Sequence, residues 1–190
     1  MRGLTPFILA AILAMGAVVP AAAYGTAIKT SVVEDFTMQP ETRWRFFTDQ
    51  VMGGVSSGTV EFAQENGTPF ARMTGSVSTA NRGGFIQMRL DLDTPPPEGT
   101  TGVRLVVRGN EQRYFVHLRT NGTVMPWQYY QAVFDVTQSW AEIRVPFDAF
   151  VAAGILLRSV PRPRTLTSVA VVPYGRDHKA RIDVSEVGFY

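Results

Sequence analysis

The chain has 190 residues, no cysteine, and 18 Lys and Arg against 16 Asp and Glu. Without cysteine there is no disulfide and no lipid-modified anchor, so the fold must rest on core burial. Near-balanced charge gives no overall sign of nucleic-acid or membrane binding.

The first segment is MRGLTPFILAAILAMGAVVPAAAYG. Arg2 gives a positive start, Phe7 to Val19 an apolar stretch, and Ala21-Ala22-Ala23 a small-residue cleavage site. This pattern predicts a signal peptide over 1–23, cut after Ala23, and hence a periplasmic or secreted protein. The apolar run is about 13 residues, where a bilayer needs about 20, so no stable membrane insertion is expected after cleavage. Residues 24–33 read as a flexible N-terminal tail and 34–190 as one domain.

No long stretch of that domain has helical periodicity; alternation dominates. Thr59–Ala63 and Phe70–Val77 are strands parted by Asn66-Gly67, a pair that tolerates positive φ. Phe85–Leu92 places Ile86, Met88, Leu90 and Leu92 on one face, with Gln87, Arg89 and Asp91 opposite. Thr94-Pro95-Pro96-Pro97 ends it, because proline cannot donate to a ladder. Val103–Arg108 precedes a turn at Gly109–Gln112. Arg113–Thr120 then returns with Tyr114, Val116 and Leu118 on the core side and His117 and Arg119 on the other. Asn121-Gly122 turns the chain again. Tyr129–Val136, Trp140–Val145, Thr167–Pro173 and Arg181–Tyr190 complete the strands, with a proline-bearing loop over Gly154–Thr165. Eight or more short strands with regular turn signals predict an all-β protein, an antiparallel β-sandwich or barrel.

Catalytic chemistry is thinly represented. Gly54-Val55-Ser56-Ser57-Gly58 matches the spacing of a nucleophile elbow, but that device needs a helix after the serine and a strand follows here. The only histidines are His117 and His178, too few for a zinc site. Asp35 and Asp183, with Glu34 and Glu186, are weak candidates for a structural calcium, since hard cations take oxygen ligands. Otherwise no metal and no cofactor is expected. The more promising pattern is polar and aromatic. Arg104, His117, Arg119, Tyr129 and Gln131 occupy alternate strand positions and could line a recognition groove for a protein loop or a glycan. Trp127, Tyr129 and Tyr130 are available as sugar platforms, whereas Trp44 and Trp140 are expected in the core.

Several segments in order carry a family resemblance. Trp44 followed by Asp49-Gln50-Val51-Met52-Gly53-Gly54-Val55-Ser56 resembles the W…D-x-V-M-G-G-V-S signature of the complex I intermediate-associated protein 30 family. Gly75-Ser76-Val77-Ser78 and Asn81-Arg82-Gly83-Gly84-Phe85 resemble its next segment. Leu105–Asn110 with Arg113-Tyr114, and Tyr130-Gln131 through Val145–Phe150, resemble the two after that. The resemblance implies a galactose-binding-like jelly roll, similar to carbohydrate-binding modules, and a non-enzymatic, assembly-assisting role. Asn110 stands where the family usually has Asp. Trp44, Asp49, Met52, Gly53, Gly54, Ser56, Gly83 and Gly84 are then the structural signature. Asp49 is expected to accept backbone N–H groups in the Val51–Gly54 turn, and the glycine pairs to permit close packing or positive φ. Taken together, the expectation is a monomeric, non-enzymatic module contacting a protein partner or, alternatively, a cell-envelope or environmental glycan, with no nucleic-acid partner.

Overall fold

A computed structural model describes residues 30–190. The signal-peptide assignment over 1–23 lies outside the described residues. The elements in chain order are β1 (Ser31–Glu34), a single helical turn α1 (Pro40–Arg43), β2 (Trp44–Thr48), β3 (Ser57–Glu65), β4 (Thr68–Val77), β5 (Ile86–Asp91), β6 (Gly102–Gly109), β7 (Arg113–Thr120), β8 (Tyr129–Asp135), β9 (Ala141–Pro146), β10 (Val151–Ala153), β11 (Leu166–Val172) and β12 (His178–Phe189). No described helix is long and apolar enough to cross a membrane.

The strands form two antiparallel sheets. One runs β3-β4-β12-β6-β9, with β1 also paired to β12; the other runs β10-β8-β7-β11-β5-β2. The two sheets face each other across one core. The alternation expected of β5 and β7 is what fills it: Ile86, Met88, Leu90, Tyr114, Val116 and Leu118 are all buried, opposite Ile182, Val184 and Val187 of β12. Alternation of this kind puts the remaining residues on the outer faces.

The N-terminal boundary differs from expectation. Ser31–Val33, read as part of a flexible tail, pair with β12 in register Ser31 with Phe189 and Val32 with Gly188. The pairing gives the segment's backbone partners that an isolated tail lacks, and a bulge between Val32 and Glu34 turns the Glu34 side chain inward. The Asn66-Gly67 turn has φ of 51° and 81°, the geometry that favours this pair in a two-residue hairpin. Asn121-Gly122 instead opens a longer loop. There Thr123 Oγ1 accepts from Thr120 N–H at 3.1 Å and donates to Thr120 C=O at 2.6 Å.

Candidate functional site

The outer face of the β10-β8-β7-β11-β5-β2 sheet carries a cleft of about 420 Å³. Its floor comes from side chains of β5, β7, β8 and β11 that alternation turns away from the core. Its lip comes from two connections: the 3₁₀ turn Asp49–Met52 after β2, which supplies Val51 and Met52, and the β7–β8 loop, which supplies Pro126 and Trp127.

The aromatic floor is closely packed. His117 stacks on Tyr129 with centroids 4.3 Å apart and an interplanar angle of 13°. Tyr174 sets its edge against His117 at 5.5 Å and against Phe115 at 5.6 Å. The Tyr129 and Tyr174 hydroxyls hydrogen-bond at 3.3 Å. Burial pushes the His117 imidazole down to about 3, and burial together with Tyr174 raises the Tyr129 phenol. Both rings are therefore neutral at physiological pH. The unfolded chain takes up a proton at His117 below about pH 6.5 while the folded chain does not until about 3, so this site lowers stability as pH falls through that window. His117→Phe should flatten the decline of stability between pH 6.5 and 4 by up to roughly 1.4 kcal/mol per pH unit. Denaturant melts across that range check it, and an unchanged slope would mean that His117 titrates normally in the fold.

The arginines differ in role from expectation. Arg119 donates to the carbonyls of Thr123 at 2.8 Å, Met125 at 3.0 Å and Pro126 at 3.3 Å. It lines the cleft, but its guanidinium shapes the loop that carries Trp127. Replacing Arg119 would disturb that loop, so it is not a free contact residue. Arg104 does not belong to this face at all. It lies on β6 in the other sheet, clamped to Glu142 at 2.8 Å and Glu186 at 2.5 Å. Gln131 is opposite His117 in the β7–β8 register, but it lies outside the cleft lining. Tyr130 is buried, as alternation with Tyr129 requires, and offers no platform. Trp140 is only partly buried and sits under the Arg108 guanidinium, 4.6 Å from the ring centroid. The cleft instead recruits Arg82, Arg89, Phe47, Phe85 and Tyr174. Alternation had already put Arg89 on an outer face. What the sequence does not show is that β5 and β2 lie beside β11 in the same sheet.

The glycine-rich signature forms one end of the cleft, and Asp49 organises it. The Asp49 side chain is fully buried. It accepts Ser56 N–H at 2.9 Å and Ser56 Oγ–H at 2.5 Å, then Gly84 N–H at 2.6 Å and Phe85 N–H at 3.3 Å. It thus joins two segments some 30 residues apart instead of closing its own turn as expected; the turn is closed by backbone, with Gly54 N–H on Asp49 C=O at 2.9 Å. A Cβ at Gly54 or at Gly83 would overlap the Asp49 carboxyl group, whereas Gly53 and Gly84 have φ of 89° and 129°. Each glycine pair therefore contains one residue needed for space and one for backbone geometry. Met52, Gly83 and Phe85 reach the cleft directly. Ser56 is buried and bonded to Asp49, and strand β3 follows it, so it is no exposed nucleophile. Trp44 is buried, stacked on Phe36 at 5.6 Å, with its indole N–H on Glu34 at 2.9 Å.

The calcium candidates do not converge. Glu34 pairs with Arg43 at 2.8 Å, and Asp183 holds Arg72 at 2.8 Å and Arg108 at 2.9 Å. Asp35 binds the Thr37 hydroxyl at 2.6 Å, and Glu186 holds Arg104. Arginine guanidinium groups neutralise Glu34, Asp183 and Glu186. Among the described residues no group of three or more His, Cys, Asp or Glu could hold a metal ion.

This architecture recurs in solved structures. The family 11 carbohydrate-binding module of a cellulosomal cellulase of Clostridium thermocellum superposes with a TM-score of 0.68 at 12% identity, over 86% of this chain and 95% of that one. The same module in complex with a beta-1,3-1,4-mixed-linked tetrasaccharide gives 0.68 at 12%, over 86% and 96%. A family 30 module, also from a Clostridium thermocellum cellulosomal cellulase, gives 0.51 at 12%, over 70% and 82%. At such identities the likeness establishes a galactose-binding-like jelly roll and nothing more. No curated protein matches the chain in sequence. A family model described as Complex I intermediate-associated protein 30 matches residues 34–171, taking in the Asp49 turn, both glycine pairs and the strands that floor the cleft. The chain belongs to the complex I intermediate-associated protein 30 family.

Proposed function

We propose that this protein is a non-enzymatic, assembly-assisting module, exported by its leader to the periplasm or the medium, that holds a segment of a protein partner in the cleft. The observation that carries this reading is how the aromatic floor is used. One face of Tyr129 is taken by His117 and its hydroxyl by Tyr174, and Arg119 is committed to loop carbonyls. A glycan needs free ring faces and free planar hydrogen-bonding groups, and on the floor Tyr129, His117 and Arg119 are engaged already. The rim is dominated by an open apolar lip, with Val51, Met52 and Trp127 exposed. An aliphatic and thioether lip suits protein side chains, and methionine adapts to irregular partners. The wide Trp127 ring, on a fold shared with carbohydrate-binding modules, favours a glycan as the second reading.

A photo-crosslinking residue at Met52 of the mature chain separates the two. In cell-envelope extract, position 52 should capture one protein covalently, while a probe at Arg144, on the opposite sheet, should not. A glycan array should stay blank. Retention of a defined oligosaccharide without any crosslink from position 52 would establish the glycan reading instead.

A further inference from the structure

Two loops stand side by side at one end of the sandwich. Residues 121–128 join β7 to β8, and residues 154–165 join β10 to β11. Each carries aliphatic side chains outward. Val124 and Ile155 are 79% exposed and Leu156 is 97% exposed, with the Trp127 indole on the same pair of loops. Val124, Ile155 and Leu156 lie outside the cleft lining.

These side chains are held out by design of the backbone beneath them. Gln128 is buried and acts as a clip: its Oε1 accepts Val124 N–H and Met125 N–H at 2.9 Å each, and its Nε2 donates to Ile155 C=O at 3.1 Å. Arg119 ties down three carbonyls of the first loop. Asn121 N–H on Thr165 C=O at 2.9 Å joins the stems of both loops. Leu156 has φ of 66°, a left-handed conformation that a bulky residue seldom adopts. An apolar side chain that a rigid frame keeps in water at its own strain asks what it meets there.

Charge identifies the occupant. No Asp or Glu occurs between Glu111 and Asp135, or between Asp148 and Asp177. The second loop adds exposed Arg158, Arg162 and Arg164, of which Arg164 alone has an ion pair, with exposed Glu98 at 3.0 Å. Projecting aliphatic tips, an indole beside them and the unpaired Arg158 and Arg162 are complementary to an anionic bilayer: tips enter the interface, the indole lies at headgroup level and the guanidinium groups meet phosphates. We propose that the 121–128 and 154–165 loops form a membrane-docking edge that seats Val124, Ile155 and Leu156 in the surface of a bilayer containing anionic phospholipid. Such docking is peripheral and reversible; its tips Val124, Ile155 and Leu156 lie outside the cleft, and Trp127 alone is shared with the cleft's lip.

Co-sedimentation of the mature protein with vesicles tests this. Vesicles of phosphatidylglycerol and phosphatidylcholine should pellet it, pure phosphatidylcholine should not, and about 0.5 M NaCl should release it by screening. Inorganic phosphate should not compete. Trp127 emission should shift to the blue on binding, and Trp127→Phe should abolish the shift. Ile155→Glu with Leu156→Glu should weaken vesicle binding at least about tenfold, because apolar burial and electrostatic attraction add in such binding. Crosslinking from position 52 should persist in that variant, so failure of the docking edge is distinguishable from failure of the cleft reading. Ile155→Ser with Leu156→Ser is a milder variant should the glutamates lower the melting temperature. Absence of pelleting, equal binding to both vesicle types, or self-association that the same substitutions abolish would overturn the proposal.

Discussion

Asp49→Ala should lower the melting temperature at pH 7 by roughly 10 °C, the equivalent of about 3 kcal/mol in a domain of this size. The reasoning starts from donors, not from the acid. Four N–H and O–H groups converge on one fully buried carboxylate, and removing the acceptor strands donors that water cannot reach. Each stranded group costs on the order of 1–3 kcal/mol, and bonds to a charged acceptor are at the upper end. Burial by itself would raise this carboxyl's pKa, but the hydrogen bonds from Ser56, Gly84 and Phe85 outweigh it and hold the group below the usual carboxylate range. A depressed folded value means that the stabilisation is complete above the unfolded value of about 3.9 and is lost only as pH falls through the lower, folded one. The full loss should therefore appear at pH 7 and narrow in acid. Asn should not rescue, since its NH₂ would face donors. An unchanged melt at pH 7 would show that the two glycine segments hold together without the carboxylate. The same substitution should also disorder the cleft, because Met52, Gly83 and Phe85 depend on the segments that Asp49 joins.

Much of the fold can be read from alternation because alternation is caused by burial. Ile86, Met88 and Leu90, and likewise Tyr114, Val116 and Leu118, go inward since a strand has two faces and only one is dry. The β1 pairing could not be read this way. Val32 is half exposed and Glu34 fully buried, the reverse of what hydrophobicity suggests, because Arg43 and Trp44 meet the Glu34 carboxylate. Only the tertiary position of α1 and β2 makes that possible.

The site was legible in part, and the reason is topological. Spacing along one strand puts His117 with Arg119, and Tyr129 with Gln131, on outer faces. It says nothing of which strands become neighbours. Arg104 has the same alternation but lies in the opposite sheet, because β6 pairs with β12 and β9. Conversely Phe47, Arg89 and Tyr174 join the cleft through the β2-β5-β11 order, which closes only once the long-range pairings are made. The glycine signature pointed to close packing. It did not say against what, since the carboxylate that needs the room is Asp49, five residues before Gly54 but more than thirty before Gly83.

That carboxylate yields a sharper expectation for the glycines than backbone freedom alone. Gly54→Ala and Gly83→Ala should each cost more than about 2 kcal/mol, because the new methyl overlaps a group fixed by four hydrogen bonds and unable to yield. Gly53→Ala should cost only about 1 kcal/mol, the strain of a side chain at φ of 89° in open space. Valine at Gly53 or Gly84 should exceed 1 kcal/mol through the same strain, aggravated by its branched Cβ. Thermal melts rank the series, and a double-mutant cycle isolates the cause. In an Asp49→Ala background the partner of the clash is gone, so the Gly83→Ala penalty should shrink to well under half, a coupling of the size that direct contact gives. The Gly53→Ala penalty should change far less there, because a Cβ at Gly53 meets nothing and its cost is backbone strain, not a clash with the carboxylate. Additive losses at Gly83 and Asp49 would mean that the glycine serves the backbone and not the acid, and the signature would then need two separate explanations in place of one.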